Sequence, residues 1–411
     1  MKRRVVITGC GVVTPIGTHI DEFWQNMILG KSGARPIERF NTEGYTTRIA
    51  AEIDNSSSLI PKSEEVADSF SDYALTASIE SWKMAGLDEG SFDIRRTGVI
   101  VGSSNGGDQF FQENHLSLLN GSTEDVNPEK FKASMINSVP IRIAKELKIK
   151  GPAWSISTAC ASGTNAIGEA VRAIQSGSMD VFIAGGTDDG IQSLNIAGLA
   201  RIHAMTRKND TPTKASRPFD KNRDGFLMGA GSGMVVVEEY NHAKDRGANI
   251  LAEVIGYGAT TDAHHITAPH PEGLLAARAM EKALDEAGLL PRDIHYINAH
   301  GTGTQLNDQM EAKAIHHVFE EYGKEIPVNA IKSMTGHMLG GSGAVEVIAT
   351  VLSMVNNFIP RTLNCDELDE ALQLNIVREE SIPHPIENAM SNSFGFGGHN
   401  VSLILRKVRG E

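Results

Sequence analysis

A cysteine at the start of a predicted helix is the strongest candidate nucleophile in the sequence. Cys160 lies in GPAWSISTACASGTNAIGEAVRAI, where an apolar, strand-like stretch runs through Thr158 and Ala159 into small residues and an amphipathic helix. Because the macrodipole at a helix N-terminus favours a thiolate, we expect the pKa of this thiol to be lowered. The small residues 161–163 would let a substrate carbonyl approach the backbone closely. A buried structural cysteine is the alternative interpretation.

Two imidazoles, a lysine and an acid lie in the second half of the chain. INAHGTGT places His300 at the end of a predicted strand, beside glycines that leave room for a ligand. In KSMTGHMLGGSGAVE, Lys332 stands at a predicted strand end, His337 follows five residues later, and Glu346 lies inside the next helix. SNSFGFGGHN forms a glycine-rich turn around Phe396, whose backbone N–H groups can stabilise an oxyanion. With the thiol, these groups suit acyl transfer followed by carbanion chemistry.

A serine competes with the cysteine for the role of nucleophile. Residues 102–106, GSSNG, fit the GxSxG pattern directly after the predicted strand TGVIV, as in the nucleophile elbow of an α/β-hydrolase. Late acids and histidines could complete a Ser-Asp-His order. A serine hydrolase using Ser104 is therefore one alternative, and a Gly/Ser turn that lines a cavity is the other.

Short buried strands and amphipathic helices, which would position these groups, recur along the whole chain and predict an α/β fold. The predicted strands are RRVVITG, TGVIVGSS, DVFIAGG, GMVVVEE, ILAEVIGYGA, IHYINAHG, VNAIKS and VSLILRK. Apolar residues at three-to-four spacing predict helices at 69–85, 163–175, 273–288 and 343–355. The second half repeats the style of the first without a linker, which predicts an internal duplication that divides near residues 247–251.

Composition and charge exclude several classes of protein. The 411 residues include 51 acids against 38 lysines and arginines, so the net charge of −13 repels nucleic acid and anionic membranes. Cys10, Cys160 and Cys365 are far apart, which predicts a reducing compartment and no disulfide framework. The histidine pairs at 264–265 and 316–317 lack the partners of a metal site. With no signal peptide and no apolar run of about 18 residues, we expect a cytoplasmic, soluble protein.

Long motifs around the candidate residues resemble those of β-ketoacyl-acyl-carrier-protein synthases. The motifs are TACASG around Cys160, NAHGTGT around His300, KSMTGHMLGGSGAVE around Lys332 and His337, and NSFGFGGHN around Phe396. The resemblance covers essentially the whole chain and is closest to the type II condensing enzymes with a Cys-His-His triad. It implies a thiolase-like fold of two duplicated α/β halves in a layered α-β-α-β-α arrangement. Residues 1–250 would form the half with the nucleophile, and residues 251–411 the half with the two histidines.

The resemblance also implies a ping-pong decarboxylative Claisen condensation without a metal or organic cofactor. An acyl group moves from a carrier-protein thioester to Cys160. Malonyl-acyl carrier protein then loses carbon dioxide, and the carbanion attacks the acyl-cysteine to give a β-ketoacyl product. In this scheme His300 and His337 hydrogen-bond the malonyl thioester carbonyl, where enolate charge develops.

The other site residues have supporting roles in the implied scheme. The backbone N–H groups of Cys160 and Phe396 hold the oxyanion at the acyl carbon, and Phe396 is the gate between the two steps. Lys332 orients the histidines electrostatically. Glu346 would be its buried ion partner, since a lone buried lysine is costly.

The implied partners are an acyl carrier protein and a second subunit. The family is usually dimeric, and a homodimer or a heterodimer with a ketosynthase-like subunit are both open. The basic residues that dock the carrier in fatty-acid enzymes are replaced here by SEEVAD at 63–68 and TED at 123–125. The stretch 201–223 retains seven bases against two acids, with Arg207 and Lys208 as candidate docking residues. A solvated loop with internal ion pairs is the alternative.

Asn105 also departs from the family, because the matching loop in long-chain fatty-acid enzymes usually has an apolar residue. An unpaired amide buried against a methylene chain would cost roughly 1–3 kcal/mol, so either the amide bonds nearby backbone or the substrate is polar or conjugated. QLND at 305–308 is closer to the catalytic subunits of type II polyketide systems, so fatty-acid, polyketide and polyene pathways are all open. Retention of Cys160, His300 and His337 argues against a non-catalytic partner subunit.

Overall fold

In the described residues of the computed structural model, 2–54, 66–88 and 92–408, one sheet of eleven strands forms the frame. The strands, in chain order, are β1 Val5–Val13, β2 Ala34–Pro36, β3 Ile49–Ala51, β4 Thr97–Gly102, β5 Ala153–Ile156, β6 Val181–Asp189, β7 Ala230–Glu239, β8 Ala252–Thr261, β9 Tyr296–Asn298, β10 Pro327–Asn329, β11 Phe358–Ile359, β12 Asn375–Ile376, β13 Ile382–Pro383, β14 Asn388–Gly395 and β15 His399–Arg406. The helices are α1 Ile20–Leu29, α2 Ser69–Met84, α3 Asp108–Asn120, α4 Pro128–Ser134, α5 Ser138–Glu146, α6 Ser162–Gln175, α7 Ser193–Arg201, α8 Tyr240–Asp245, α9 Leu274–Ala287, α10 Gln305–Phe319, α11 Lys332–Thr335 and α12 Ser342–Asn356.

The sheet consists of two halves that meet along one short seam. Its strand order is β12-β10-β9-β14-β15-β8-β1-β7-β6-β4-β5, so strands from the start of the chain occupy one side and later strands the other. Among the described strands, the two sides are joined by the pairing of β1 with β8, through Val6 with Glu253 and Ile7 with Ala252. The division of the chain at residues 250 and 251 stays a prediction.

Five layers follow from the alternation of side chains along the strands. Val235 and Val237 of β7 face the central core with α6 and α12, whereas Met234 and Val236 face the outer core with α2. On the other half-sheet, β15 packs its opposite face against an outer core formed with α9 and α10. Helices α6 and α12 are thus enclosed between the half-sheets, and the predicted layered α-β-α-β-α arrangement is confirmed.

Two predicted elements differ from the structure. The predicted strand VNAIKS ends at Asn329, and Lys332 instead begins the short helix α11, which turns its side chain into the core. The segment SNSFG, read as part of a turn, belongs to β14, and only residues 396–398 connect it to β15. Its strand character is hidden in the sequence because the small polar side chains of Ser391, Asn392 and Ser393 are fully buried.

One stretch, Leu339–Asn356, is long and apolar enough to span a membrane by length and composition, contrary to the expectation that no such run exists. It contains α12, and 83% of it is buried inside the protein. Burial between two half-sheets requires apolar residues around the whole helix, which explains the composition. The cytoplasmic location stays a prediction.

Candidate active site

The three predicted catalytic side chains meet in a cavity of about 610 Å³. The sulfur of Cys160 and ring nitrogens of His300 and His337 all lie within 4.8 Å of one another. All three residues are buried, and the histidine rings meet edge-on with centroids 5.4 Å apart. Residues from both half-sheets therefore converge on one point, although they are up to 177 positions apart in the sequence.

Cys160 projects into the cavity from a strained turn between β5 and α6. Ala159 has φ of 48°, a left-handed conformation that costs a non-glycine residue about 1–2 kcal/mol. The hydroxyl of Ser162 stabilises the turn by donating to the Ala159 carbonyl at 2.6 Å and accepting the Thr158 N–H at 2.9 Å. Gly395 of β14 allows the close approach, since a Cβ there would lie 2.7 Å from the Thr158 carbonyl oxygen. The predicted strand-to-helix corner is confirmed.

The expected lowering of the thiol pKa is wrong. Burial raises the pKa of Cys160 to about 11, and the positive charge of Lys332 and the backbone N–H groups of Phe396 and Cys160 offset only part of the shift. The helix begins at Ser162, two residues beyond the thiol, and Cys160 is buried. Desolvation of the thiolate therefore outweighs the favourable dipole.

The small residues after Cys160 serve packing rather than substrate access. Ala161, Ser162 and Gly163 are buried, and a Cβ on Gly163 would lie 2.7 Å from the carbonyl oxygen of Gly340. They let the start of α6 touch the segment that leads from His337 into α12. The expectation that they admit a substrate carbonyl is corrected accordingly.

His300 is held from both its backbone and its ring. The carboxylate of Glu311, on α10, accepts the backbone N–H groups of His300 and Gly301, both at 2.8 Å. The Nζ atom of Lys332 lies 3.2 Å from Nδ1 of His300 and donates to its carbonyl oxygen at 2.7 Å. Burial raises the pKa of Glu311 to about 8. Sequence analysis missed Glu311; an acid on the buried face of α10 was the available signal.

His337 is held by the chain that follows it. Its Nδ1 accepts the backbone N–H of Leu339 at 3.2 Å and lies 2.9 Å from the hydroxyl of Ser342. Phe226 contacts the ring edge-on, with centroids 5.2 Å apart. The backbone N–H of His337 donates to the Leu227 carbonyl at 2.7 Å, which connects the His337 segment to the loop before β7.

Both imidazoles are neutral and present the same nitrogen to the cavity. Burial and the nearby Lys332 charge hold the pKa of His300 and of His337 well below the usual value. Because donors face both Nδ1 atoms, we assign the proton to Nε2 in each ring. The two Nε2–H groups can therefore donate hydrogen bonds to one substrate oxygen.

Lys332 and Glu346 form the predicted buried ion pair. The side chains of both are 1% exposed, and the Lys332 ammonium donates to Oε1 of Glu346. Burial raises the pKa of Glu346 to about 7, although the ammonium acts in the opposite direction. The three hydrogen bonds of Lys332, to Glu346 and to two atoms of His300, use every N–H that it has.

Phe396 lies in the turn between β14 and β15 and lines the cavity half-buried. Gly397 and Gly398 follow with φ of 86° and 75°, and the Gly397 N–H donates to the carbonyl of Ile266. The backbone N–H groups of Phe396 and of Cys160 itself both act to lower the pKa of the thiol. These two N–H groups are therefore the candidates to hold a thioester oxyanion beside the sulfur.

Ser104 lines the same cavity without the surroundings of a nucleophile. Its Oγ is buried without a hydrogen-bond partner within the described part of the chain, so no base activates it. Its backbone N–H donates to Asp188, which also accepts the Ser103 hydroxyl at 2.6 Å and the Gly340 N–H at 2.6 Å. The Gly/Ser turn is the correct interpretation of this motif. Asp188, whose pKa burial raises to about 6, is a second residue that sequence analysis missed.

Asn105 is exposed on the cavity wall, beside the carboxyl of Asp108. That carboxyl accepts a hydrogen bond from the amide of Asn195 at 2.7 Å. Burial raises the pKa of Asp108, and the amides of Asn195 and Asn105 act against that shift. The cavity wall here combines polar and apolar side chains, namely Ser104, Asn105, Leu194, Asn195, Leu199 and Leu339.

The basic stretch 201–223 divides into two groups. Two of its members are internal: Arg217 pairs with Asp220, and the fully buried Arg223 pairs with Asp369 at 2.8 Å. The bases Arg201, Arg207, Lys214 and Lys221 are exposed, and Lys208 is half-buried. Arg207 contacts His203 and Asp224, which line the cavity mouth. Two acidic segments replace the docking bases of the fatty-acid enzymes. Of these, residues 63–65 lie outside the described residues, and residues 123–125 are exposed.

Comparison with known proteins gives matches along the whole chain. Family models described as "Beta-ketoacyl synthase, N-terminal domain" and "Beta-ketoacyl synthase, C-terminal domain" match residues 2–243 and 251–366. The chain is 42% identical over 410 residues to 3-oxoacyl-[acyl-carrier-protein] synthase 2 of Coxiella burnetii, with 99% of both chains covered.

Two solved structures share the fold. One is a type II polyketide synthase acyl-carrier protein in complex with its ketosynthase, with a TM-score of 0.93 and 32% identity over 99% of this chain and 100% of that chain. The other is the ishigamide ketosynthase/chain length factor, with a TM-score of 0.93 and 34% identity over 100% of both chains. The predicted thiolase-like fold is confirmed by these likenesses.

Proposed function

The chain belongs to the β-ketoacyl synthase family, and we propose that Cys160, His300 and His337 are the residues with which it condenses an acyl group and malonyl-acyl carrier protein. The observation that supports this assignment is the meeting of one sulfur and two neutral imidazoles within 4.8 Å. The reaction is a decarboxylative Claisen condensation that yields β-ketoacyl-acyl carrier protein.

The first step moves the acyl group to the enzyme. The Cys160 sulfur attacks the carbonyl carbon of the acyl thioester, the carbon–sulfur bond to the carrier breaks, and the thiol proton passes to the departing carrier sulfur. The N–H groups of Cys160 and Phe396 stabilise the oxyanion of the tetrahedral intermediate. Because the turn fixes them before substrate binds, they need no rearrangement as charge develops.

The second step uses the two imidazoles. Donation from both Nε2–H groups to the malonyl thioester oxygen stabilises the enolate that remains when carbon dioxide leaves. The enolate carbon then attacks the acyl carbon on Cys160, a carbon–carbon bond forms, and the carbon–sulfur bond breaks. The sulfur leaves as a thiolate and takes one proton from solvent, which balances the negative charge left when the carboxylate departs as carbon dioxide. Neutral histidines suit this role, since each keeps its Nε2 proton throughout.

Lys332, Glu346 and Glu311 act as positioning residues. Lys332 fixes the ring of His300 through Nδ1, and Glu346 balances its charge in the dry core. Glu311 fixes the backbone of the same histidine. Phe396 is proposed as the gate between the acyl and malonyl steps, because it lies on the turn that also provides an oxyanion N–H.

An acyl carrier protein is the partner that delivers both substrates. The curated relatives are named for this carrier, and one structural neighbour is a ketosynthase in complex with it. We propose that Arg207 and Lys208 dock the acidic carrier, because Arg207 lies beside the cavity mouth and neither residue belongs to the internal ion pairs. Electrostatic attraction at such a rim mainly speeds the encounter.

A second subunit is proposed to cover an apolar face beside the cavity wall. This face consists of exposed large side chains on and after α3 and α4, namely Phe111, Leu116, Leu118, Leu119, Phe131 and Met135. Strand β5 is the edge of the sheet, its Trp154 is 37% exposed, and no strand in the described part of the chain pairs with its outer side. We propose a homodimer; a heterodimer is the alternative that the ketosynthase/chain length factor neighbour supports.

Asn105 is proposed to line the acyl pocket, whose polar lining also includes Ser104 and Asn195. Fatty-acid synthesis agrees with the curated relatives, and polyketide or polyene synthesis with the structural neighbours. These polar groups favour substrates that are short, oxygenated or unsaturated, because a saturated chain would cover the amides without offering them a hydrogen bond.

Active-site labelling tests the assignment of the nucleophile. A thiol-directed acyl mimic should modify Cys160 stoichiometrically, and peptide mapping should show no label after Cys160→Ala. A fluorophosphonate should leave Ser104 unmodified. Labelling of Ser104 by the fluorophosphonate, with loss of activity, would overturn the assignment in favour of a serine hydrolase.

A further inference from the structure

Cys160, His300 and His337 present the donor set of a metal site as well as that of a condensing enzyme. One sulfur and two imidazole nitrogens lie within 4.8 Å of one another and are buried. Zinc binds such ligands at about 2.0–2.3 Å, so ligand atoms around one ion are about 3.5 Å apart. Small side-chain movements would close this gap. An ion bound there would block the nucleophile that the condensation needs.

The groups behind the histidines are the reverse of those behind metal-binding histidines. A ligating imidazole donates its other ring N–H to a carboxylate, a carbonyl or water. Here the Nδ1 atom of His300 faces the ammonium of Lys332 at 3.2 Å, and that of His337 faces the N–H of Leu339 at 3.2 Å. Both neighbours are donors, so each Nδ1 accepts and each Nε2 has a proton where a metal would require a lone pair.

We propose that Lys332 excludes zinc and similar thiophilic cations by holding His300 in the tautomer that cannot ligate through Nε2, so that Cys160, His300 and His337 form a latent metal site. Lys332 cannot accept a hydrogen bond from a protonated Nδ1, because an ammonium has no lone pair and its three N–H groups already donate. Its charge also repels a cation. The constraint on His337 is weaker, because the hydroxyl of Ser342 can change from donor to acceptor.

Metal binding by purified variants tests this proposal without reference to catalysis. Zn²⁺ affinity is measured by competition with a chromogenic chelator, and Co²⁺ reports thiolate ligation through its absorption spectrum. Lys332→Met should bind Zn²⁺ about 10–100-fold more tightly than the wild type, the usual effect of a partner behind a ligand. It should also develop the Co²⁺–thiolate band, and adding Cys160→Ala should remove both effects.

Lys332→Arg is the matched control, because it keeps the charge and the donors and should bind Zn²⁺ as weakly as the wild type. Lys332→Met alone leaves the buried carboxyl of Glu346 without its partner, which can impair folding. Lys332→Met/Glu346→Leu removes both charges and should bind Zn²⁺ as Lys332→Met does. A wild-type protein that shows the Co²⁺–thiolate band and binds Zn²⁺ as tightly as these variants would overturn the proposal. Equal gains in Lys332→Arg and Lys332→Met would do the same.

Discussion

The Nζ atom of Lys332 lies 3.2 Å from Nδ1 of His300 and donates to the carbonyl oxygen of the same residue at 2.7 Å. One ammonium group therefore sets both the tautomer and the position of a catalytic imidazole. Its third N–H group donates to Glu346, so a carboxylate balances the charge. The result is a buried imidazole whose neutral Nε2–H group can donate to an enolate, whereas an imidazolium could transfer its proton to the enolate.

The Cys160 thiol should react as a thiol of raised pKa. Burial raises its pKa to about 11, so the thiolate fraction should increase about tenfold for each pH unit between about pH 7 and pH 10. The measurement is the rate of iodoacetamide alkylation against pH in the absence of substrate, with Cys160→Ala to subtract the other two cysteines. A rate that reaches a plateau by about pH 8 would show that the helix dipole prevails after all.

The positions of the site residues could be predicted from the sequence more fully than their environment. Cys160, His300 and His337 stand in glycine-rich motifs at element ends, and helix periodicity located α2, α6, α9 and α12 within a residue or two. The thiol pKa could not be predicted, because it depends on burial by segments that are distant in the sequence.

Glu311 and Asp188 were missed for a related reason. Each acts on the backbone N–H groups of another segment, so neither leaves a pattern of spacing near the residue that it supports. Internal ion pairs in the stretch 201–223 were one of the two interpretations that the sequence left open, but which bases form them could not be predicted, because Arg223 pairs with the distant Asp369. These ion pairs divide what reads in the sequence as one basic stretch into buried and exposed parts.

Charge reversal at the proposed docking residues should weaken use of carrier-bound substrates. For Arg207→Glu/Lys208→Glu we expect the KM for acyl carrier protein to rise about 2- to 30-fold, from about 0.2–1 kcal/mol for each exposed charge pair. Small thioester mimics should be turned over as before. Steady-state kinetics at two salt concentrations make the measurement, because screening should reduce the difference.

Lys83→Glu/Lys282→Glu is the matched control for docking. It changes the net charge equally on the outer helices α2 and α9, where both lysines are exposed. An unchanged KM in the Arg207 and Lys208 variant would show that this stretch is merely solvated. Equal increases in both variants would indicate a general charge effect instead.

Asn105→Ile should move primer preference towards saturated medium and long chains. The substitution replaces the amide beside Asp108 with an apolar side chain of similar size on the cavity wall. The measurement is the rate of loading onto Cys160 for a primer series from acetyl to palmitoyl, including unsaturated and oxygenated members. Ser104 lines the same cavity, and Ser104→Ala should leave the profile of primer loading unchanged. A wild-type optimum at palmitoyl that Asn105→Ile does not move would contradict a polar acyl pocket.

The central claim, that Cys160 and the histidines serve separate half-reactions, is tested most directly by assaying both half-reactions in Cys160→Ala and His337→Ala. Acyl loading is followed by mass spectrometry of the intact protein, and decarboxylation by release of labelled carbon dioxide from malonyl-acyl carrier protein. Cys160→Ala should lose acyl loading but retain decarboxylation. His337→Ala should load acyl groups and lose about 10²–10³-fold in decarboxylation rate, the usual effect of removing one main stabilising donor. Equal and complete loss of both half-reactions in a folded His337→Ala protein would contradict the account.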